Sequence, residues 1–202
     1  MIVTGVQTAS ELVTKERELN SLSITTVVVV LATVTMTFGA MIAVFIVRSE
    51  APKFWGHLRI PGILWITSAV LLASSATLET ARRRLLQTDQ HAFFRWTAWT
   101  TALGVLFLAG QITAWFQILG SGIVLEKNPH SWFIFLFTGL HGLHILLGLA
   151  GLAYLLVRTR IPAGGPKYQM NTRVVANGVS IFWHYLDLIW IVLFVLLLTW
   201  RA

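Results

Sequence analysis

His141 and His144 stand three residues apart in HGLHILLGLAGL, and His184 and Asp187 repeat that spacing in FWHYLDLIW. Residues three apart share a helix face. Three imidazoles and a carboxylate inside apolar sequence can do one of three things. They can ligate zinc or iron, which take nitrogen and oxygen donors. They can pass protons, as Asp and His do in pumps. Or they can satisfy each other and nearby backbone groups, and so fix helix register. HxxH lacks the internal Glu of the metalloprotease helix signature. One acid and three histidines on two segments make a poor continuous proton wire. The packing reading asks least of the residues. Glu79, in SSATLETARRR, is the other acid close to an apolar run and joins this candidate buried polar core. No residue is assigned as catalytic, as cofactor-binding or as a metal ligand.

Small and aromatic residues surround these groups. Gly139, Gly142, Gly148 and Gly151 punctuate the segment that carries the histidine pair. Small residues let helix backbones, or a lipid tail, approach closely. Trp183 precedes His184 and is a candidate for helix contacts, as are Trp99, Trp115 and Trp190. Trp55, Trp65, Trp96, Trp132 and Trp200 fall near the ends of apolar runs, where an aromatic belt is expected. Arg82, Arg83 and Arg84 either attract anionic lipid headgroups or simply set topology.

The elements that must position these residues are legible from length and polarity. The chain of 202 residues is 56% hydrophobic and 11% charged, against about 25% charged in ordinary globular domains. That balance predicts an integral membrane protein. A span of the hydrocarbon core needs about 20 apolar residues. Five runs qualify: Leu22 to Val47, Ile60 to Leu78, Phe94 to Leu119, Ser131 to Val157 and Gly178 to Trp200. They are too long for barrel strands, so each is read as a helix. The expected fold is a single all-α membrane domain over 1–202, a bundle of five helices with 1–21 as a cytoplasmic tail. No signal peptide is read at the N-terminus. At 1.5 Å per residue His141 and His144 fall roughly 15 to 20 Å below the outer edge and His184 and Asp187 roughly 9 to 14 Å above the inner edge, overlapping depths on antiparallel helices.

Charge sets the orientation. Ten Lys and Arg flank the spans on the side of the N-terminal tail, and five on the other. The positive-inside rule puts the N-terminus in the cytoplasm and the C-terminus outside. The net charge of +7 is therefore read as topology, not as a nucleic-acid surface. The absence of Cys leaves no thiolate for an iron–sulfur or copper site. No P-loop, dinucleotide fingerprint or Ser-His-Asp order occurs.

Four stretches in order carry a family likeness. TGLHGLHILLGL, then a basic loop, then SIFWHYLDLIWIVLFVLLLTW, resembles subunit III of haem-copper terminal oxidases, whose members show TGxHGxHVxxG followed by YWHFVDxxW. LLASSATLETA and LGVLFLAGQITAW are similar to earlier segments of the same family. The likeness covers about residues 30 to 200 and fits the short five-helix bacterial form. Two departures stand out. Val34 and Ala114 occupy positions where the family often has glutamates.

The resemblance implies a non-catalytic subunit of a proton-pumping terminal oxidase in aerobic respiration, with electrons passing from cytochrome c to oxygen. It implies no cofactor in this chain, with haem and copper in partner subunits. Subunit I is the main expected partner, with subunit II, other respiratory subunits and membrane phospholipids. The site is the bacterial inner (cell) membrane, crossed several times. The subunit would stabilise subunit I, hold lipids in a cleft and support proton uptake. His141, His144, His184 and Asp187 would belong to its polar core. A quinol oxidase subunit III, or the accessory subunit of a nitric oxide reductase, is the alternative within this class. A stand-alone transporter or metal-binding membrane protein using the His–Asp belt is the alternative from another class.

Overall fold

A computed structural model of the chain describes residues 2–49, 62–120, 129–160 and 166–199. The described residues form five helices: α1 (Ile2–Ser49), α2 (Ile63–Leu86), α3 (Gln90–Gly120), α4 (Pro129–Arg160) and α5 (Pro166–Thr199). Each contains a stretch long and apolar enough to cross a membrane. Large apolar side chains such as Val29, Met36, Ile66, Phe116 and Leu147 point outward from the bundle. Contiguous apolar surface on that scale is a liability in water but the natural partner of lipid.

Every helix runs past its expected span at one end at least, and α5 begins at Pro166 and not at Gly178, so part of the polar stretch read as a connection is helical. The polar N-terminal stretch continues α1 and does not stand apart from it. The second span, expected to stop at Leu78, continues as helix to Leu86. Ala, Leu, Glu and Arg are strong helix formers, and Glu79 pairs with Arg82 and Arg83 one turn on. Hydropathy marks where a helix leaves lipid, not where it ends. The chain reverses over Gln87–Asp89. Thr88 adopts φ 60, the left-handed conformation that commonly follows a helix C-terminus. Asp89 then opens α3, its Oδ1 accepting from the Ala92 amide at 3.0 Å. Such a cap satisfies one of the free amides at a helix start.

The buried positions follow a seven-residue rhythm. On α2 they are Leu64, Thr67, Leu71, Ser74, Leu78, Ala81 and Leu85. On α3 they are Phe93, Thr97, Thr100, Gly104, Phe107, Gln111, Ala114 and Ile118. Alternating steps of three and four mark a left-handed coiled-coil seam. α2 and α3 form an antiparallel hairpin along that seam, with Thr77 and Thr100 hydroxyls bonded at 2.9 Å. α5 is the hub and packs on α1, α2 and α4, while α4 also packs on α3. Among the described residues α1 rests on α5 and α4, through Val34, Phe38 and Phe45 against Phe137, Ile189 and Leu193.

Candidate functional site: a polar seam on α5

α5 sets Trp183, Asp187 and Trp190 along one buried stripe, with His184 beside it. The facing helix, α2, carries Ser68, Ser74 and Ser75 at a matching spacing and runs the other way. Trp190 Nε1 donates to Ser68 Oγ at 2.9 Å. Trp183 Nε1 donates to Ser74 Oγ at 3.0 Å. Ser75 donates to Asp187 Oδ2, and its Oγ lies 2.6 Å from His184 Nδ1. Serine suits this place because it combines small size with both hydrogen-bonding roles. Four polar groups of α5 thus meet three serines of α2 and pin the register of the two helices.

Trp183 is the mechanical centre of the seam. It is fully buried and lies against two helices that lack side chains where it passes. A Cβ at Gly104 of α3 would stand 2.7 Å from its Cη2, and one at Gly148 of α4 would stand 2.9 Å from its Cε3. At Gly151 a Cβ would come to 3.0 Å from Val179. Gly139 and Gly142 are different, because a Cβ there meets its nearest neighbour at 3.6 and 3.7 Å, an ordinary contact. Of the glycines singled out in the sequence, Gly148 and Gly151 are required by close approach. Gly104 was not singled out, because nothing in LGVLFLAG marks the indole beside its first glycine.

The histidines of α4 do not join the seam as a mutual clasp. His144 Nδ1 donates to the Leu140 carbonyl at 2.7 Å, since a carbonyl can only accept. Its ring lies 5.6 Å from Phe38. His141 is fully buried, and neither of its nitrogens has a hydrogen-bond partner. Its ring sits among aromatics, 5.1 Å from Trp190 and 5.8 Å from Phe107. The expectation that His141, His144, His184 and Asp187 satisfy each other is therefore corrected. Overlapping depth is not enough. The polar side of α5 turns to the serines of α2, while α4 meets α5 through rings. Among the described residues no group of three or more His, Asp or Glu converges as a metal site would.

Glu79 is also not sealed in this core. It accepts from Arg82 at 2.9 Å and from Arg83 at 3.1 Å, both on its own helix, and its side chain is 30% exposed. Glu79 and Arg82 instead share the wall of a cavity of about 490 Å³ with His184, Asn177 and Ser180 of α5 and Ile24 and Val27 of α1. A smaller, almost wholly apolar groove of about 260 Å³ lies on the other flank of α5, between α1 and α4, floored by Gly148 and Gly151.

The tryptophans divide as follows. Trp65 and Trp132 are exposed near helix ends, where a belt would need them. Trp115 Nε1 donates to Thr138 of α4 at 2.9 Å. Trp99, expected to line a helix contact, is 62% exposed, because Thr97 and Thr100 take the seam positions around it. Trp55 and Trp200 lie outside the described residues. Val34 and Ala114 are both buried within apolar clusters.

The family model for cytochrome c oxidase subunit III matches residues 57–202. The chain is 30% identical over 165 residues to cytochrome c oxidase subunit 3 of Synechocystis sp., covering 78% of this chain and 66% of that protein. It is 30% identical over 164 residues to the probable cytochrome c oxidase subunit 3 of Nocardia farcinica, covering 79% and 78%. It is 29% identical over 178 residues to the probable subunit 3 of Mycobacterium leprae, covering 87% and 86%. With its family model matched from α2 to the C-terminus, this multi-pass helical chain belongs to the cytochrome c oxidase subunit III family.

Proposed function

We propose that the chain serves as the non-catalytic subunit III of a proton-pumping haem-copper oxidase, in a bacterial cell membrane, with its N-terminus in the cytoplasm and its C-terminus outside. Its main partner is subunit I, which holds haem and copper, with subunit II in the same complex. The complex carries electrons from cytochrome c to oxygen. The observation that carries a supporting role is how the buried polar groups are used. Trp183, Trp190, His184 and Asp187 bond to serines of the neighbouring helix. A fixed seam of this kind is a rigid wall for another subunit to pack on.

Lipid retention follows from the two openings beside α1. The larger combines apolar walls with Glu79, Arg82 and Asn177, and the smaller is apolar. An acyl chain suits the apolar walls and a phosphate group suits the guanidinium. Supported proton uptake rests on the protonable groups around the larger opening. Purification through a tag on this chain tests the proposal. Haem-bearing subunits, cytochrome c oxidation and bound phospholipid are expected together. Recovery of the chain free of any haem protein overturns it, and electrons accepted only from quinol redirect it to a quinol oxidase.

A further inference from the structure

Asp187 is 5% exposed, and its two oxygens are treated differently. Oδ2 accepts from the Ser75 hydroxyl. Oδ1 has no hydrogen-bond partner. Ser75 Oγ lies 2.6 Å from His184 Nδ1, and His184 lines the cavity of about 490 Å³ with Glu79, Arg82, Asn177 and Ser180. A hydroxyl has a single proton to give. With that proton on Asp187, Ser75 accepts from His184, so His184 carries its proton on Nδ1. The three side chains form a directed line from the cavity wall to a buried carboxylate, and Nε2 of His184 is left for a water in the cavity. Polar walls on that scale hold water readily.

We propose that His184, Ser75 and Asp187 form a relay that loads a proton onto Asp187 from the cavity and returns it. A hydronium ion in the cavity gives a proton to His184 Nε2 and becomes water. The Nδ1 proton passes to Ser75 Oγ, and the hydroxyl proton of Ser75 passes to Asp187 Oδ2. Each transfer breaks one N–H or O–H bond and forms another, and nothing is oxidised or reduced. Asp187 ends neutral and donates to Ser75, which donates to Nδ1. Unloading runs the same bonds backward. A buried carboxylate with an unpaired oxygen is costly in lipid, and the relay neutralises it without opening the bundle. Among the described residues, Glu79 and Arg82 of α2 share its cavity, and the titratable groups on elements packed against α5 include His141 and His144 of α4, beside Tyr185 of α5 itself, which bonds Thr35 of α1.

The relay is a property of this chain and stands apart from how the complex uses protons. Infrared difference spectra of the assembled oxidase, wild type against Asp187→Asn, isolate the C=O stretch of a protonated Asp187. Asp187→Glu keeps a carboxyl, moves the band and supplies the assignment where the Asn variant does not assemble. The band is expected to grow as pH falls and to shift promptly in D2O. Ser75→Ala is expected to slow that exchange roughly 100-fold, the usual contribution of a positioned proton carrier. Ser75→Thr, with its hydroxyl restored, is expected to recover it. A band absent at every pH the complex survives overturns the relay, and so does unchanged exchange in Ser75→Ala. Oxygen reduction is a separate readout. Its indifference to Ser75→Ala, with exchange slowed, would sink the proton-uptake role and leave the relay standing.

Discussion

The clearance around Trp183 makes a sharp prediction about neighbouring glycines. Gly148→Ala places a methyl 2.9 Å from Cε3 and about as close to Cζ3, while Gly104→Ala places one 2.7 Å from Cη2. The indole cannot slide freely, because its Nε1 is tied to Ser74 at 3.0 Å and the ring has no exposed edge. Overpacking of this kind costs about 1–3 kcal/mol, and a lost indole bond adds about 0.5–1.5 kcal/mol. Gly139→Ala and Gly142→Ala meet neighbours at 3.6 and 3.7 Å and should cost nothing, because Ala is the better helix former by about 1 kcal/mol. All four variants are the same chemical change on the same pair of helices, so propensity effects cancel. The assay is thermal unfolding of the purified complex, read through retention of this chain. Trp183→Phe trims the ring that both methyls strike and should partly rescue Gly148→Ala in a double-mutant cycle, since contacting sites are not additive. Equal damage from Gly139→Ala and Gly148→Ala, or a fully additive cycle, would refute the close-packing account.

Three further outcomes follow from the same geometry. Ser74→Ala strands the buried Trp183 N–H and should destabilise by about 1–3 kcal/mol; Ser68→Ala, beneath a half-buried hydroxyl, should cost less, and melting curves of the two compare them directly. Val34→Glu puts a carboxyl, at a site only 3% exposed, among Phe38, Phe45 and Leu193. It should lower the yield of assembled complex by several kcal/mol of lost stability, and full assembly with raised activity would contradict the apolar packing of α1 as described. Arg82→Ala breaks a partly exposed ion pair worth at most about 1 kcal/mol, so stability should barely move while co-purified anionic phospholipid, measured by mass spectrometry, should fall.

The candidate site was only partly legible in the sequence. His184 and Asp187 could be placed on one face and in the membrane from spacing and hydropathy alone. Their shared partner could not, because Ser75 looks like an ordinary small residue until α5 is laid against α2. LLASSATLETA carried a family likeness, but nothing in it said that its two serines meet an indole, a ring nitrogen and a carboxylate. His141 shows the opposite failure. Its type and depth suggested a polar partner, and its surroundings are Phe107 and Trp190. Glu79 was drawn toward the core by its nearness to the second span, while the actual helix runs on to Leu86 and gives it Arg82 and Arg83 as local partners.

By itself the sequence determined the class, the number of spans and the family, because these depend on quantities summed along the chain. Runs of apolar residues must be helical in lipid, and motif order survives divergence. It could not decide which side of each helix faces inward. In a bilayer the outward face is as apolar as the core, so Val29 and Phe38 on α1 read alike, though one is exposed on the bundle and the other is buried. The tertiary structure decided that by bringing together small and polar residues from different helices, Gly104 and Gly148 around Trp183 and Ser75 beneath Asp187. Those contacts depend on distances between helices, which no spacing along one helix encodes.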